Sequence, residues 1–196
     1  MKRWLVSSFA PFGGAASNSS LLVMDALKKR EWRGQVEFTT PLPVSFTETW
    51  PALEQAIRSD FDGVLALGQA ERRSVITPER VALNWIDAPI ADNSGKQPKG
   101  RRIRDEAPEL LWSNIDWDKM PPVGGCEVSY SAGVFVCNHL LFQIMEWANK
   151  NSKLGGFVHV PLLDSQTDSL YRGIQRLDEG RAVESVAQLL TWLVNE

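Results

Sequence analysis

Cysteine and histidine are both scarce in this chain of 196 residues, which contains two of each. The cysteines are Cys126 and Cys137, and the histidines are His139 and His159. Two cysteines and two histidines do not have the spacings of a structural zinc site. The only metal site left open is one that also uses carboxylate ligands. We therefore expect neither a metal nor another cofactor. In a reducing compartment, a structural disulfide between the two cysteines is also not expected.

An excess of charge of either sign is missing as well. The chain has 21 Lys and Arg against 24 Asp and Glu, a net charge of -3, which favours neither nucleic acid nor an anionic membrane as a partner. No stretch approaches ~18 uninterrupted apolar residues, and the apolar run near the N-terminus is interrupted at Ser7. We therefore expect a cytoplasmic protein that acts on a small or neutral ligand.

What the chain does contain is typical of a globular domain. Hydrophobic residues make up 43% of the sequence and charged residues 23%, and the length suits one compact domain over residues 1–196. Short apolar runs that read as strands alternate with segments of helical spacing, from "RWLVSSFAPF" and "SNSSLLVMDALKKR" to "GGFVHVPLL" and "GRAVESVAQLLTWLVNE". This alternation predicts a three-layer α/β/α sandwich with a mixed, mostly parallel central sheet.

Three segments are harder to assign. We interpret "VITPERVALNWI" as a strand, although Thr77 to Glu79 could equally begin a helix. Residues 87–125 are rich in Pro, Gly, Asn and charge, and we expect an irregular excursion with one short helix near residues 108–112. The following "CEVSYS" is interpreted as another strand.

The stretch "SAGVFVCNHL" places a cysteine two residues before a histidine at a predicted strand-to-helix turn. Gly133 suits such a turn, and a thiol in the first turn of a helix is stabilised as thiolate by free N–H groups and the helix dipole. The alternative is that Cys137 is simply a small buried residue. His139 is a poor base for Cys137, because residues two apart on a helix point roughly 200° away from each other.

His159 is the other possible partner, because it lies at the end of a predicted strand just before Pro161, where α/β folds place their sites. A satisfied core histidine is the alternative. A cysteine hydrolase also needs a group that orients the imidazole. Glu79 is the best candidate, but spacing alone does not separate it from Glu71 or Asp87.

Five segments in order resemble the pyroglutamyl peptidase I family, also called pyrrolidone-carboxylate peptidases. They cover nearly the whole chain and are "FAPFGG", "GQAERRSVITPERVALN", "DNSGKQP", "SAGVFVCNHL" and "GFVHVPLLDSQ". The resemblance implies a cysteine exopeptidase that removes an N-terminal pyroglutamyl residue from peptides. It also implies a triad in which Cys137 is the nucleophile, His159 the acid and base, and Glu79 the group that orients His159.

The resemblance further implies a pocket for the five-membered lactam ring. Phe9 and Phe12 would cover the ring, Ile90, Phe135 and Val136 would line the pocket, and Gln69 would lie beside its polar edge. A pocket built around lactam hydrogen bonds would reject proline, whose ring lacks the carbonyl. The resemblance, together with the count of 8 Trp, leads us to expect a homo-oligomer, a dimer or tetramer.

The chain also departs from the family's pattern. Bacterial relatives commonly carry Arg where this chain has Pro89 and Pro where it has Ala91, and Val134 replaces a typically polar residue. Ser8, Ser19 and the pair Glu71-Arg72 depart as well. These changes put the substrate and efficiency in question, so a divergent member that binds without turnover, or that cleaves a different acyl group, is the alternative. A related amidase or phosphorylase on a similar scaffold is the third hypothesis.

Overall fold

The computed structural model describes all 196 residues of the chain. Its four α-helices are α1 (Ser19–Leu27), α2 (Thr49–Ala56), α3 (Val136–Asn151) and α4 (Glu179–Asn195). Its seven strands are β1 (Trp4–Ser7), β2 (Val36–Phe38), β3 (Gly63–Gln69), β4 (Thr77–Pro78), β5 (Val81–Leu83), β6 (Leu110–Trp112) and β7 (Leu154–Val160). Two single turns of 3₁₀ helix cover Trp117–Lys119 and Ser169–Tyr171.

Five of the strands form the central sheet in the order β2-β1-β3-β7-β4. The first four are parallel, and only the edge strand β4 runs antiparallel to β7. This confirms the predicted mixed, mostly parallel sheet. Because parallel strands leave their carboxyl ends at one edge, the ends of β3 and β7 lie side by side there.

Alternate residues of the strands face two hydrophobic cores on opposite sides of the sheet. Leu65 of β3 packs into the core that contains α1 and α4, whereas Val64 packs into the core under α2 and α3. In β7, Val158 lies on the first side and Phe157 on the second. The three-layer α/β/α arrangement is thus confirmed, and His159 is assigned by alternation to the α3 side. None of the helices is long and apolar enough to cross a membrane.

The first helix begins where the polar sequence predicts. Asn18 is its N-cap, and its side chain accepts a hydrogen bond from the backbone N–H of Ser20 at 3.0 Å. The Asn18 side chain also donates to the carbonyl oxygen of Ala10 at 3.2 Å. The cap therefore ties the loop after β1 to the start of α1, on the edge of the sheet where β3 and β7 end.

The segment interpreted as one strand is divided between two sheets. β4 pairs with β7, whereas β5 pairs antiparallel with β6 in a separate two-stranded sheet. Glu79 lies between them, and its backbone N–H donates to the carbonyl oxygen of Phe157 at 2.8 Å. The chain thus changes sheets at Glu79, because the next residue bonds Ser129 instead of β7.

Two predictions in this region were wrong. The short helix expected near residues 108–112 is the strand β6, because its three apolar residues are too few for a helix and pair with β5 instead. The segment "CEVSYS" forms only isolated bridges, from Cys126 to Ile76 and from Ser129 to Glu79. The Ser129 hydroxyl accepts from the backbone N–H of Ser131 at 3.2 Å, so local side-chain bonding competes with a continuous ladder.

Close packing across β1 and β3 generates a stability prediction. A Cβ on Gly63 would lie 2.5 Å from a ring carbon of Trp4, which is fully buried. We expect Gly63→Ala to lower the free energy of unfolding by about 1–3 kcal/mol through overpacking. Urea denaturation measures it, and Gly124→Ala is the control, because no heavy atom lies within 4 Å of the added methyl group. Equal stability of the two variants would contradict the prediction.

Candidate active site

Near the end of β3, the absence of a side chain at Gly68 allows α3 to lie close to both β3 and β7. Gly68 is the register partner of His159 on β7, and the Cys137 sulfur of α3 lies 3.3 Å from the point where a Cβ of Gly68 would be. The same Cβ would lie 2.5 Å from the ring of Phe157. Only glycine fits here, and its missing side chain allows the thiol to lie over the sheet beside the histidine strand.

The start of α3 is held in place from both sides. Gly133 has φ +79°, a conformation that favours glycine, and Phe135 is the N-cap, so Cys137 is the second residue of the helix. Asn138, fully buried, accepts from the backbone N–H of Leu83 and donates to its carbonyl oxygen, both at 2.8 Å. This clamp fixes the first turn against β5 and so fixes the position of the thiol.

His159 and Glu79 form a buried pair. The Nδ1 atom of His159 lies 2.7 Å from Oε1 of Glu79, and the two side chains are 5% and 0% exposed. Because a carboxylate only accepts, Nδ1 carries the proton and donates. This assigns the tautomer in which Nε2 is the free basic nitrogen. Of the three acids considered from the sequence, only Glu79 reaches the imidazole, whereas Asp87 pairs with Lys99.

Arg73 is a further member of the cluster that the sequence did not single out. Its Nη2 lies 2.9 Å from the same Oε1 of Glu79 and donates to the carbonyl oxygen of Ser131 at 2.7 Å. The cation therefore balances the buried carboxylate and braces the loop just before Gly133. It also links the orienting acid to the turn that presents the thiol.

Burial is the main influence on the pKa values of Cys137 and His159. Removal from water, with a smaller contribution from the charge of Glu79, raises the pKa of Cys137 to about 12, and Arg73 acts in the opposite direction. Burial also lowers the pKa of His159, an effect that exceeds the opposing hydrogen bond and charge of Glu79. The backbone at the helix start lowers the pKa of Cys137, as expected, but burial outweighs it, so the thiol and the imidazole are both mainly neutral at pH 7.

His139 belongs to a different part of the molecule. Its ring packs against Phe46 with centroids 5.6 Å apart, and it lines a separate depression away from Cys137. Burial lowers its pKa to about 4. The expectation from helix geometry, that His139 does not face Cys137, agrees with this position.

A cavity of about 380 Å³ opens in front of Cys137. Its walls include the six residues expected to bind the ring, which are Phe9, Phe12, Gln69, Ile90, Phe135 and Val136. Besides Cys137, seven other residues line it: Asn18, Val44, Ala70, Glu71, Arg72, Arg73 and Tyr171. The rings of Phe12 and Phe135 lie 5.4 Å apart at 48°. The cavity is therefore an aromatic slot with the thiol in its wall, whereas His159 and Glu79 lie behind it.

The polar end of the cavity is organised around the side chain of Gln69. Gln69 lines the cavity, but its side-chain oxygen accepts from the backbone N–H of Ser19 at 2.8 Å and from Gln166 at 2.9 Å. Its amide nitrogen donates to the hydroxyl oxygen of Tyr171 at 2.9 Å. Tyr171 lies in a 3₁₀ turn without apolar periodicity, so no sequence pattern identified it.

Comparisons with known proteins agree with this geometry. A family model described as pyroglutamyl peptidase matches residues 2–188. The chain is 38% identical over 172 residues to a pyrrolidone-carboxylate peptidase of Vibrio parahaemolyticus, covering 85% of this chain and 81% of that one. A second relative, the pyrrolidone-carboxylate peptidase of Bacillus licheniformis, is 37% identical over 174 residues, with the same coverage.

Solved structures are similar over the full length. The crystal structure of Bacillus amyloliquefaciens pyroglutamyl peptidase I superposes with a TM-score of 0.89 at 29% identity, covering 100% of this chain and 98% of that chain. The pyrrolidone carboxyl peptidase from Fervidobacterium islandicum gives a TM-score of 0.85 at 26% identity, covering 100% and 99%.

The position of Arg73 predicts how the thiol reacts. Replacing Arg73 by Gln removes a cation that favours the thiolate, so the thiol pKa rises and the thiolate fraction falls at any pH below it. We expect alkylation of Cys137 by iodoacetamide at pH 8 to slow roughly threefold or more. Peptide mass spectrometry separates Cys137 from Cys126. Arg33→Gln is the matched control, because Arg33 makes no ion pair and lies outside the cavity; equal slowing in both variants would contradict the prediction.

Proposed function

This chain belongs to the pyroglutamyl peptidase family of cysteine omega peptidases, and we propose that Cys137, His159 and Glu79 are its catalytic residues. The proposed reaction is hydrolysis of the amide bond that follows an N-terminal pyroglutamyl residue of a peptide. The observation that carries the proposal is the 2.7 Å hydrogen bond from His159 to buried Glu79, one strand away from a thiol that lines an aromatic cavity.

The first step is acylation. Nε2 of His159 takes the proton of the Cys137 thiol as the sulfur attacks the carbonyl carbon of the pyroglutamyl residue. Since the thiol and imidazole are neutral before reaction, the proton moves during attack, and the imidazolium that forms is stabilised by Glu79. The imidazolium then gives this proton to the leaving amine as the amide bond breaks.

The second step returns the enzyme to its starting state. Water attacks the thioester carbon while Nε2 of His159 accepts a proton from it. The C–S bond then breaks, the imidazolium returns the proton to the Cys137 sulfur, and pyroglutamic acid is released. Negative charge on the carbonyl oxygen needs donors in both steps. The backbone N–H groups at the start of α3, including that of Cys137, have no partner within the helix and supply such donors.

Substrate selection follows from the shape of the cavity. A lactam ring is flat, and the rings of Phe12 and Phe135, which pack against each other with centroids 5.4 Å apart, offer one continuous apolar surface for a face of it. Phe9 is 2% exposed and backs the slot, whereas Ile90 is 51% exposed and lies at its mouth. The slot therefore suits a small ring at the chain terminus and leaves the rest of the peptide outside.

Replacing the proposed nucleophile tests the mechanism. We expect Cys137→Ala to lower kcat/KM for a fluorogenic pyroglutamyl amide by about a thousandfold or more, because acylation needs the sulfur. Cys126→Ser is the matched control, since the other free cysteine lies outside the cavity, and it should retain activity. Full activity of Cys137→Ala would refute the mechanism. Binding of pyroglutamate by the wild-type protein without any hydrolysis would favour the divergent, non-hydrolysing alternative.

We also propose that the chain assembles into a homo-oligomer. The support is exposed aromatic surface on the small sheet and its neighbours, with Trp112 57% and Trp85 41% exposed. Light scattering at micromolar concentration should give a mass near twice or four times that of one chain. A mass of 21.9 kDa, that of a single chain, would contradict the proposal.

A further inference from the structure

The hydrogen bonds around Gln69 determine where the hydroxyl proton of Tyr171 points. The backbone N–H of Leu163 donates to Oε1 of Gln166 at 2.9 Å, so the amide nitrogen of Gln166 must face the other way. That nitrogen donates to Oε1 of Gln69 at 2.9 Å, and the backbone N–H of Ser19 donates to the same oxygen at 2.8 Å. Two donors on one oxygen fix the orientation of the Gln69 amide.

It follows that the amide nitrogen of Gln69 faces Tyr171 and donates to its hydroxyl oxygen at 2.9 Å. The hydroxyl oxygen is therefore an acceptor in this bond, and its own proton is directed elsewhere. That oxygen makes no other hydrogen bond within the chain, although Tyr171 is only 7% exposed and lines the cavity in front of Cys137. A hydroxyl proton at the wall of a cavity, with no acceptor inside the chain, is free to bond a ligand that supplies one.

We propose that the Tyr171 hydroxyl is a specificity-determining donor that binds the ring carbonyl of the pyroglutamyl group. This inference rests on the function proposed above and names the group that recognises the ring's polar edge. The family resemblance placed Gln69 beside that edge, and its side chain is occupied by Ser19, Gln166 and Tyr171. Gln69 instead acts as a positioning residue, because its amide turns the Tyr171 proton into the cavity.

The chemistry of the donor suits this role. Burial and the nearby acids Glu71 and Asp168 raise the pKa of Tyr171, so the phenol keeps its proton throughout the neutral range. A neutral donor can bond a lactam carbonyl but gains nothing from a proline ring, which has no acceptor at that position. Proline in the slot would leave the hydroxyl proton unpaired, and this penalty separates the two rings.

The test compares Tyr171→Phe with the wild-type protein on a pyroglutamyl amide and on the matching prolyl amide. We expect KM for the pyroglutamyl amide to rise roughly tenfold with little change in kcat, because the variant loses one hydrogen bond and keeps the ring. Any residual activity on the prolyl amide should be unchanged or higher. The chain's only other tyrosine, Tyr130, is 61% exposed and outside the cavity, so Tyr130→Phe is the matched control.

A second variant tests the direction in which the hydroxyl proton of Tyr171 points. Gln69→Glu keeps an oxygen for Ser19 and Gln166 but presents a second acceptor to Tyr171, which turns the phenol proton away from the cavity. We expect a loss similar to that of Tyr171→Phe, and no further loss in the double variant, because both changes remove the same hydrogen bond. Circular dichroism and thermal melting confirm that each variant is folded.

The outcomes separate this inference from the proposed function. An unchanged KM and an unchanged ratio of pyroglutamyl to prolyl hydrolysis in Tyr171→Phe would overturn the role of Tyr171, even if Cys137→Ala is inactive. Additive losses in the double variant would overturn the role of Gln69 in directing the proton. Full activity of Cys137→Ala would instead refute the nucleophile, whatever the result for Tyr171.

Discussion

The buried carboxylate of Glu79 is the constraint on which the site and this part of the fold both depend. A fully buried charge is tolerated only where it is paired and hydrogen-bonded. Glu79 meets this condition at Oε1, which lies 2.7 Å from His159 on β7 and 2.9 Å from Arg73 in the loop after β3, whereas its other oxygen, Oε2, is buried without a hydrogen-bond partner. The sheet edge, the histidine strand and the loop before Gly133 are therefore held to one another by a single acid.

This arrangement explains why the resting thiol need not be ionised. The charges of Glu79 and Arg73 largely cancel, which leaves burial as the main influence on Cys137 and His159. A neutral thiol and a neutral imidazole cost less to bury than an ion pair would. Charges therefore form only during the attack. At that point Glu79 stabilises the new imidazolium, and the N–H groups of α3 face the new oxyanion.

The sequence contained enough to predict the layers and the order of the elements, because strands such as β3 and helices such as α4 carry strong periodic patterns. It also separated His139 from Cys137 by helix geometry. It did not distinguish Glu79 from other acids by spacing, since that choice depends on β4 pairing with β7. Residues 108–112 show the same limit: a short apolar run takes its structure from the strand it meets.

Arg73 and Tyr171 were missed for a related physical reason. Each acts through hydrogen bonds that join segments far apart in the chain, such as Arg73 to Ser131 and Gln69 to Tyr171. No local period marks such residues, and only the donors and acceptors in the folded chain identify them. Gln69 shows the converse, because its position in the cavity was expected while its side chain is used to hold other groups.

Pro89, which departs from the family's pattern, lies in a segment that is held by backbone hydrogen bonds near the cavity. The carbonyl oxygens of Ala88 and Pro89 accept from the side chain of Gln97 at 3.2 and 2.9 Å, so backbone bonds hold the segment that carries Ile90. An arginine at residue 89 would add a charge near the cavity mouth, whereas proline adds only rigidity. In this chain, Arg73 is the cation tied to the buried acid, and it lies in the cavity wall beside the thiol. The positive charge near the reacting atoms is thus supplied from the cavity wall, where its position is fixed by Glu79.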